Sequence, residues 1–105
     1  HMNFQLTMKN IDCGNVTKEL IDRKVKKATE LYESIDYIDI VLEKDAEGEH
    51  ANIHSKFEQK PIHLKEVSEH VAKSIEHVFD RFYRQLKIQK NKHNLIDHTS
   101  IKDMV

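Results

Sequence analysis

Glycine occurs twice in this chain of 105 residues, proline and cysteine once each, and tryptophan not at all. Two glycines cannot build a phosphate-cradling loop. A single cysteine, Cys13, excludes an internal disulfide and fits a reducing cytoplasm. No apolar run approaches the ~20 residues that a membrane span needs, and the opening residues hold no signal-peptide pattern. His1-Met2 reads as a cloning remnant, with Met2 as the native start. The length suits one domain with one core and no second lobe. Mean hydropathy is low, at −0.69. Leu, Ile, Val and Phe nevertheless recur throughout, unlike the composition of a disordered chain.

Charge of one sign is also missing, but only in total. The formal net charge is −1. From Arg81 to Asn94 five bases (Arg81, Arg84, Lys87, Lys90, Lys92) stand with no acid among them. A second basic cluster is Arg23, Lys24, Lys26 and Lys27. Between Glu30 and Glu49 the sign reverses, with eight acids against Lys44 alone. A chain so divided has a directional field, and one pole suits a polyanion. Charge runs on helices are also commonly just solvated faces, so composition alone does not decide.

Asn3 to Met8 alternates, with Phe4, Leu6 and Met8 on one side, and predicts a half-buried strand. Asp12 to Asn15 is a turn. Thr17 can cap a helix reaching about Ser34, whose apolar stripe is Ile21, Val25, Ala28, Tyr32 and Ile35. Ile38 to Glu43 is a second strand, and the acidic Lys44 to Glu49 reads as a hairpin loop. Ala51 to Phe57 is a third strand. Glu58 to Pro61 turns the chain, and Ile62 and Leu64 face inward on a fourth. From about Ser68 to Lys92 the period is helical, with Val71, Ile75, Val78, Phe82 and Leu86 as the stripe and Tyr83 at its edge, open to either side. Such a helix is roughly 37 Å long at 1.5 Å per residue. It overhangs strands of ~20 Å, and its last turns carry Lys87, Lys90 and Lys92. The segment from Leu95 has no period and is expected to be a mobile tail. The order β-α-β-β-β-α predicts an α+β two-layer sandwich: a four-stranded mixed sheet with both helices packed on one face, similar to double-stranded-RNA-binding domains.

Chemistry is sparsely provided. No Ser or Cys has a nucleophile's setting, and no paired-carboxylate motif stands out, so an enzyme is not expected. His50 and His54 share a strand face, and His63 falls on a neighbouring strand, a set that three-imidazole zinc binding would need. No second sulfur or tight His-x-x-His accompanies them, and exposed sheet histidines are the plainer reading. No metal ligand and no cofactor is assigned. His70 and His77 are expected on the exposed side of the second helix, and Cys13 reads as a small structural residue. Basic residues on two adjacent helices suit the reading of RNA shape and phosphate rather than of bases, since exposed stacking aromatics are few.

Ordered segments along the chain then carry a resemblance. They are Val16-Thr17-Lys18-Glu19-Leu20 opening the first helix, Lys26-Lys27 within it, and Ile38-Asp39-Ile40-Val41-Leu42 on the second strand. Ile62-His63 follows on the fourth strand, and Arg84-Gln85-Leu86-Lys87-Ile88-Gln89-Lys90-Asn91-Lys92 closes the second helix. Over roughly residues 3–93 the chain resembles the bacterial ribosome hibernation-promoting factors, also called ribosome-associated inhibitor or protein Y-type factors. The resemblance implies one cytoplasmic domain, residues 3–94, that binds the small ribosomal subunit at the messenger and A- and P-site channel. It implies silencing of translation by occlusion under stress or in stationary phase, with neither membrane nor small-molecule substrate. Matched by position, contacts to ribosomal RNA fall on Lys26, Lys27, Arg81, Arg84, Lys87, Lys90 and Lys92. Arg23 is added from the helical face. Two departures stand out. The family's Asp-hydrophobic-Tyr-x-Ala-Ile-Asp opening of the second helix is here His70-Val71-Ala72-Lys73-Ser74-Ile75-Glu76. A long-form dimerisation domain and an acidic extension are both lacking, so promotion of ribosome dimers and upkeep of inactive monomers stay open. The rival readings are a self-associating regulatory adaptor that pairs through a strand edge and a generic structured-RNA binder.

Overall fold

The computed structural model describes residues 2–102, with side chains through residue 92. The elements are β1 (Asn3–Lys9), α1 (Asn15–Leu31), β2 (Ile35–Asp45), β3 (Gly48–Phe57), β4 (Lys60–Ser68) and α2 (Val71–Lys102). The sheet order is β1-β2-β3-β4. β1 runs parallel to β2, a pairing that requires a crossover, and α1 supplies it. The other two pairings are antiparallel hairpins. Alternation decides which face is buried. Ile38, Ile40 and Leu42 of β2, Ala51, Ile53 and Phe57 of β3, and Ile62 of β4 turn inward. They meet Ile21, Val25 and Ala28 of α1 and Ile75, Val78, Phe79, Phe82 and Leu86 of α2. The result is the expected two-layer α+β sandwich, with the opposite sheet face open to solvent.

Boundaries differ from the sequence reading for identifiable reasons. α1 starts at Asn15, with Gly14 as an extended N-cap and no side-chain cap, so Thr17 lies inside the first turn. The helix stops at Leu31, because Tyr32 is already extended (φ −137°). Ile35, which keeps the helical spacing, is buried as the first residue of β2 instead. The predicted loop Lys44–Glu49 shrinks to Ala46-Glu47. The strands run into it because Asp45 Oδ1 accepts the Glu47 amide at 2.9 Å and Gly48 adopts φ 144°. The second hairpin turns on Glu58 and Gln59, both left-handed at φ 51° and 66°. Two positive φ values define a type I′ connection, here built without glycine.

Ser68 closes β4 rather than opening α2. Its hydroxyl donates to the His70 carbonyl and lies 2.6 Å from the Ser74 hydroxyl. The amide of Val71, the first residue of α2, donates to Glu49 Oε1 at 2.6 Å. A carboxylate from β3 thus satisfies a free donor at the positive end of the helix. At its other end α2 runs ten residues beyond Lys92, to Lys102, for a length of about 48 Å. The expected tail from Leu95 is therefore helical as far as Lys102, and residues 103–105 lie outside the described residues.

Candidate nucleic-acid interface

α1 and α2 lie side by side on the covered sheet face, joined by Tyr83. Its hydroxyl donates to the Lys24 carbonyl of α1 at 2.8 Å. Lys27 Nζ sits 4.8 Å above its ring. Burial, and then the charges of Asp80 and Glu76, push the Tyr83 phenol well above its ordinary range, so it stays a donor. A reciprocal contact lies further along the seam, where Lys90 Nζ of α2 is 5.6 Å from the ring of Tyr32, just past α1. Lys24 forms an ion pair with Glu76 across the helices.

Arg81, Arg84, Lys87 and Lys90 follow one another at intervals of three. On an α-helix each such step turns back by about 60°, so the four bases climb diagonally across the outer face of α2 through about 180°. Contacts fix both ends of this band. Arg81 Nη1 donates to Glu66 Oε2 at 2.7 Å and to the Lys65 carbonyl at 3.0 Å, both on β4. Lys90 reaches α1 through Tyr32. Between them Arg84 and Lys87 are exposed, with no ion partner among the described residues. Lys92 is exposed too, and falls by helical angle on the Arg81 flank. On α1, Lys26 and Lys27 are neighbours in sequence but about 100° apart around the helix. Only Lys27 faces the seam. Arg23 and Lys26 are exposed away from it. The structure thus brings Lys27, Arg84, Lys87 and Lys90 onto one surface, leaves Arg23, Lys26 and Lys92 at its margins, and engages Arg81 with β4.

One group of acids lies beside the β2–β3 hairpin, while Glu30, Glu33 and Glu58 share a second hollow with Lys90. In the first group Glu43, Asp45, Glu47 and Glu66 line an open hollow with His50, Asn52 and Lys65. The α2 N-terminus points to this hairpin through Glu49, and the lysine-rich turns lie toward the negative end of the same helix dipole. His50 Nε2 bonds Asp45 Oδ1 at 2.7 Å, and this bond, followed by the Glu47 amide, holds the Asp45 carboxyl below its ordinary range. Asp45, Glu47 and His50 offer ligand-capable atoms within 4.8 Å of one another. The three-histidine set does not assemble. His50 turns to Asp45, four strand residues or about 13 Å from His54. His54 instead stacks on His63. Desolvation, and then the charges of His54 and Lys65, lower the proton affinity of His63.

The sequence alone does not reveal the Tyr83 tie, the Glu49 cap, or the ion pairs of Lys24 with Glu76 and of Arg81 with Glu66. The three-residue spacing from Arg81 to Lys90 was the one signal in the chain that could have revealed the diagonal band.

The helical layer of this two-layer α+β domain carries the diagonal basic band, and the acidic hollow lies beside the β2–β3 hairpin. The chain belongs to the family described as sigma 54 modulation protein / S30EA ribosomal protein, which it matches over residues 4–94. Its fold is similar to that of a ribosomal subunit interface protein from Coxiella burnetii. That match has a TM-score of 0.77 and 19% identity, covering 86% of this chain and 99% of the other. It is also similar to the Protein Y N-terminal domain from Thermus thermophilus, with a TM-score of 0.70, 18% identity and coverage of 82% and 97%. No curated protein matches it by sequence. No helix among the described residues is long and apolar enough to cross a membrane.

Proposed function

We propose that this protein associates with the ribosome through the basic band of α2 and the α1–α2 seam. It binds small-subunit ribosomal RNA in the channel used by messenger and transfer RNA. It silences translation in the cytoplasm by occlusion, under stress or in stationary phase, without turnover. The observation that supports this reading best is the band itself. Arg84 and Lys87 are exposed with no ion-pair partner among the described residues, between Arg81 and Lys90 fixed at either end. Phosphate is the complement of such a surface, and exposed stacking aromatics are few among the described residues. Lys27 extends the surface onto α1, while Arg23, Lys26 and Lys92 add charge at its margins. The acidic hairpin faces solvent or basic ribosomal proteins, since carboxylates beside phosphate would repel.

The test is competition with messenger RNA and initiator transfer RNA for free small subunits. Stoichiometric displacement by the wild-type protein, lost in an Arg84→Glu/Lys87→Glu variant, is the expected result. Equal affinity for plain duplex RNA and for small subunits would point to a generic RNA binder. Inhibition well below one protein per ribosome would point to catalysis.

A further inference from the structure

The open face of the sheet carries a pair of groups that the RNA-facing layer leaves unused. His54 of β3 and His63 of β4 are direct register partners. Their rings stack with centroids 3.9 Å apart and planes 24° from parallel. Both point away from the helical layer, and His63 is exposed. We propose that His54 and His63 form a two-imidazole chelate for a divalent transition metal ion of the copper, nickel or zinc class.

Two adjacent strands fix the Cα positions of both ligands, so little chain entropy is lost when an ion joins them. Bond lengths of about 2.0–2.1 Å to each ring nitrogen need only side-chain rotation from stacked rings at this separation. Imidazole suits these ions and not magnesium or calcium, which take oxygen ligands. The same rung of the sheet continues to Asp39, the β2 partner of His54. Lys56 and Lys65 flank the pair one outward-facing rung away on either side. The carboxylate favours a cation here and the two ammonium groups oppose it. With two protein nitrogens on an open face, the remaining coordination positions go to water or to an outside ligand. His50 takes no part, being bonded to Asp45.

The test titrates the full chain with Cu²⁺, Ni²⁺, Zn²⁺ and Mg²⁺ by calorimetry, alongside His54→Gln, His63→Gln and His50→Gln variants checked for folding by circular dichroism. His1 is present in all of them, so differences report on the sheet. Copper should bind most tightly and magnesium not at all. His54→Gln and His63→Gln should each weaken binding at least about tenfold, and His50→Gln should leave it unchanged. The Cu²⁺ electron paramagnetic resonance spectrum should lose one of two imidazole couplings in either single variant. Unchanged affinity in His63→Gln, which alters an exposed side chain, would overturn the proposal. So would a loss confined to His50→Gln, which would place the ion on the acidic hairpin.

Discussion

Tyr83 connects the two helices through its hydroxyl and offers its ring to Lys27. Removing only the hydroxyl, as in Tyr83→Phe, should cost about 1 kcal/mol, read by chemical denaturation. The bond also has a pH signature. Burial raises the phenol's pKa in the folded protein, so the unfolded chain ionises first, near its ordinary value of about 10. The stability supplied by Tyr83 is therefore complete below about pH 10 and is lost as pH rises beyond it. The melting-temperature gap between wild type and Tyr83→Phe should close across that range, while ionising lysines affect both proteins alike. The arginines of α2 are likewise separable. Arg84→Glu should weaken ribosome binding and leave stability within about ±0.5 kcal/mol, since the side chain is exposed with no ion partner among the described residues. Arg81→Glu should lower stability as well, because it sets a like charge against Glu66. The loss from the half-exposed pair itself should be no more than about 1 kcal/mol. Both belong to the acid-free run that marks the sequence. What separates them is Glu66, brought in by β4, and no local pattern reveals it.

Period was a sound guide to the elements and a poor guide to their ends. Alternation places Ile38, Ile40 and Leu42 inward, and the helical stripe places Ile75, Val78, Phe82 and Leu86 in the core, as the structure has them. Ile35 fits both periods, so spacing alone could not separate the end of α1 from the start of β2. Both hairpin loops are shorter than the sequence predicts, and the second turns without the glycine expected of so tight a connection. Glu58 and Gln59 adopt the left-handed region without glycine, a conformation costing roughly 1–2 kcal/mol per residue. Gln59→Gly should therefore raise stability by about 0.5–1 kcal/mol. Gly48→Ala should do the reverse, by more than about 1 kcal/mol, since its φ is positive and the new Cβ would stand 2.6 Å from the Ser68 carbonyl oxygen. Thermal unfolding of the two variants reads both effects with opposite sign.

The molecule as a whole measures 55 × 30 × 18 Å, its long dimension comparable to the length of α2. If Lys27, Arg84, Lys87, Lys90 and one marginal base meet phosphates, affinity for the small subunit should fall on the order of a hundredfold between 50 and 200 mM salt. Filter binding across that range checks it, and a flat response would remove phosphate from the account. The basic residues of this surface were legible in the sequence, but its geometry was not. Helical angle separates Lys26 from Lys27, but that the Lys27 flank of α1 is the one meeting α2 shows only in its contact with Tyr83, 56 positions away. The bond from Val71 to Glu49 reaches across 22 positions in the same way. It has a kinetic meaning. The first turn of the longest helix is closed by local bonds from Ser68 and His70 and also by a side chain belonging to β3, which ties the start of α2 to the first hairpin. Synthesis from the N-terminus delivers the hairpin before the helix. Glu49 is then the link between them: its loss should slow refolding by more than it speeds unfolding, the mark of a contact already made in the transition state.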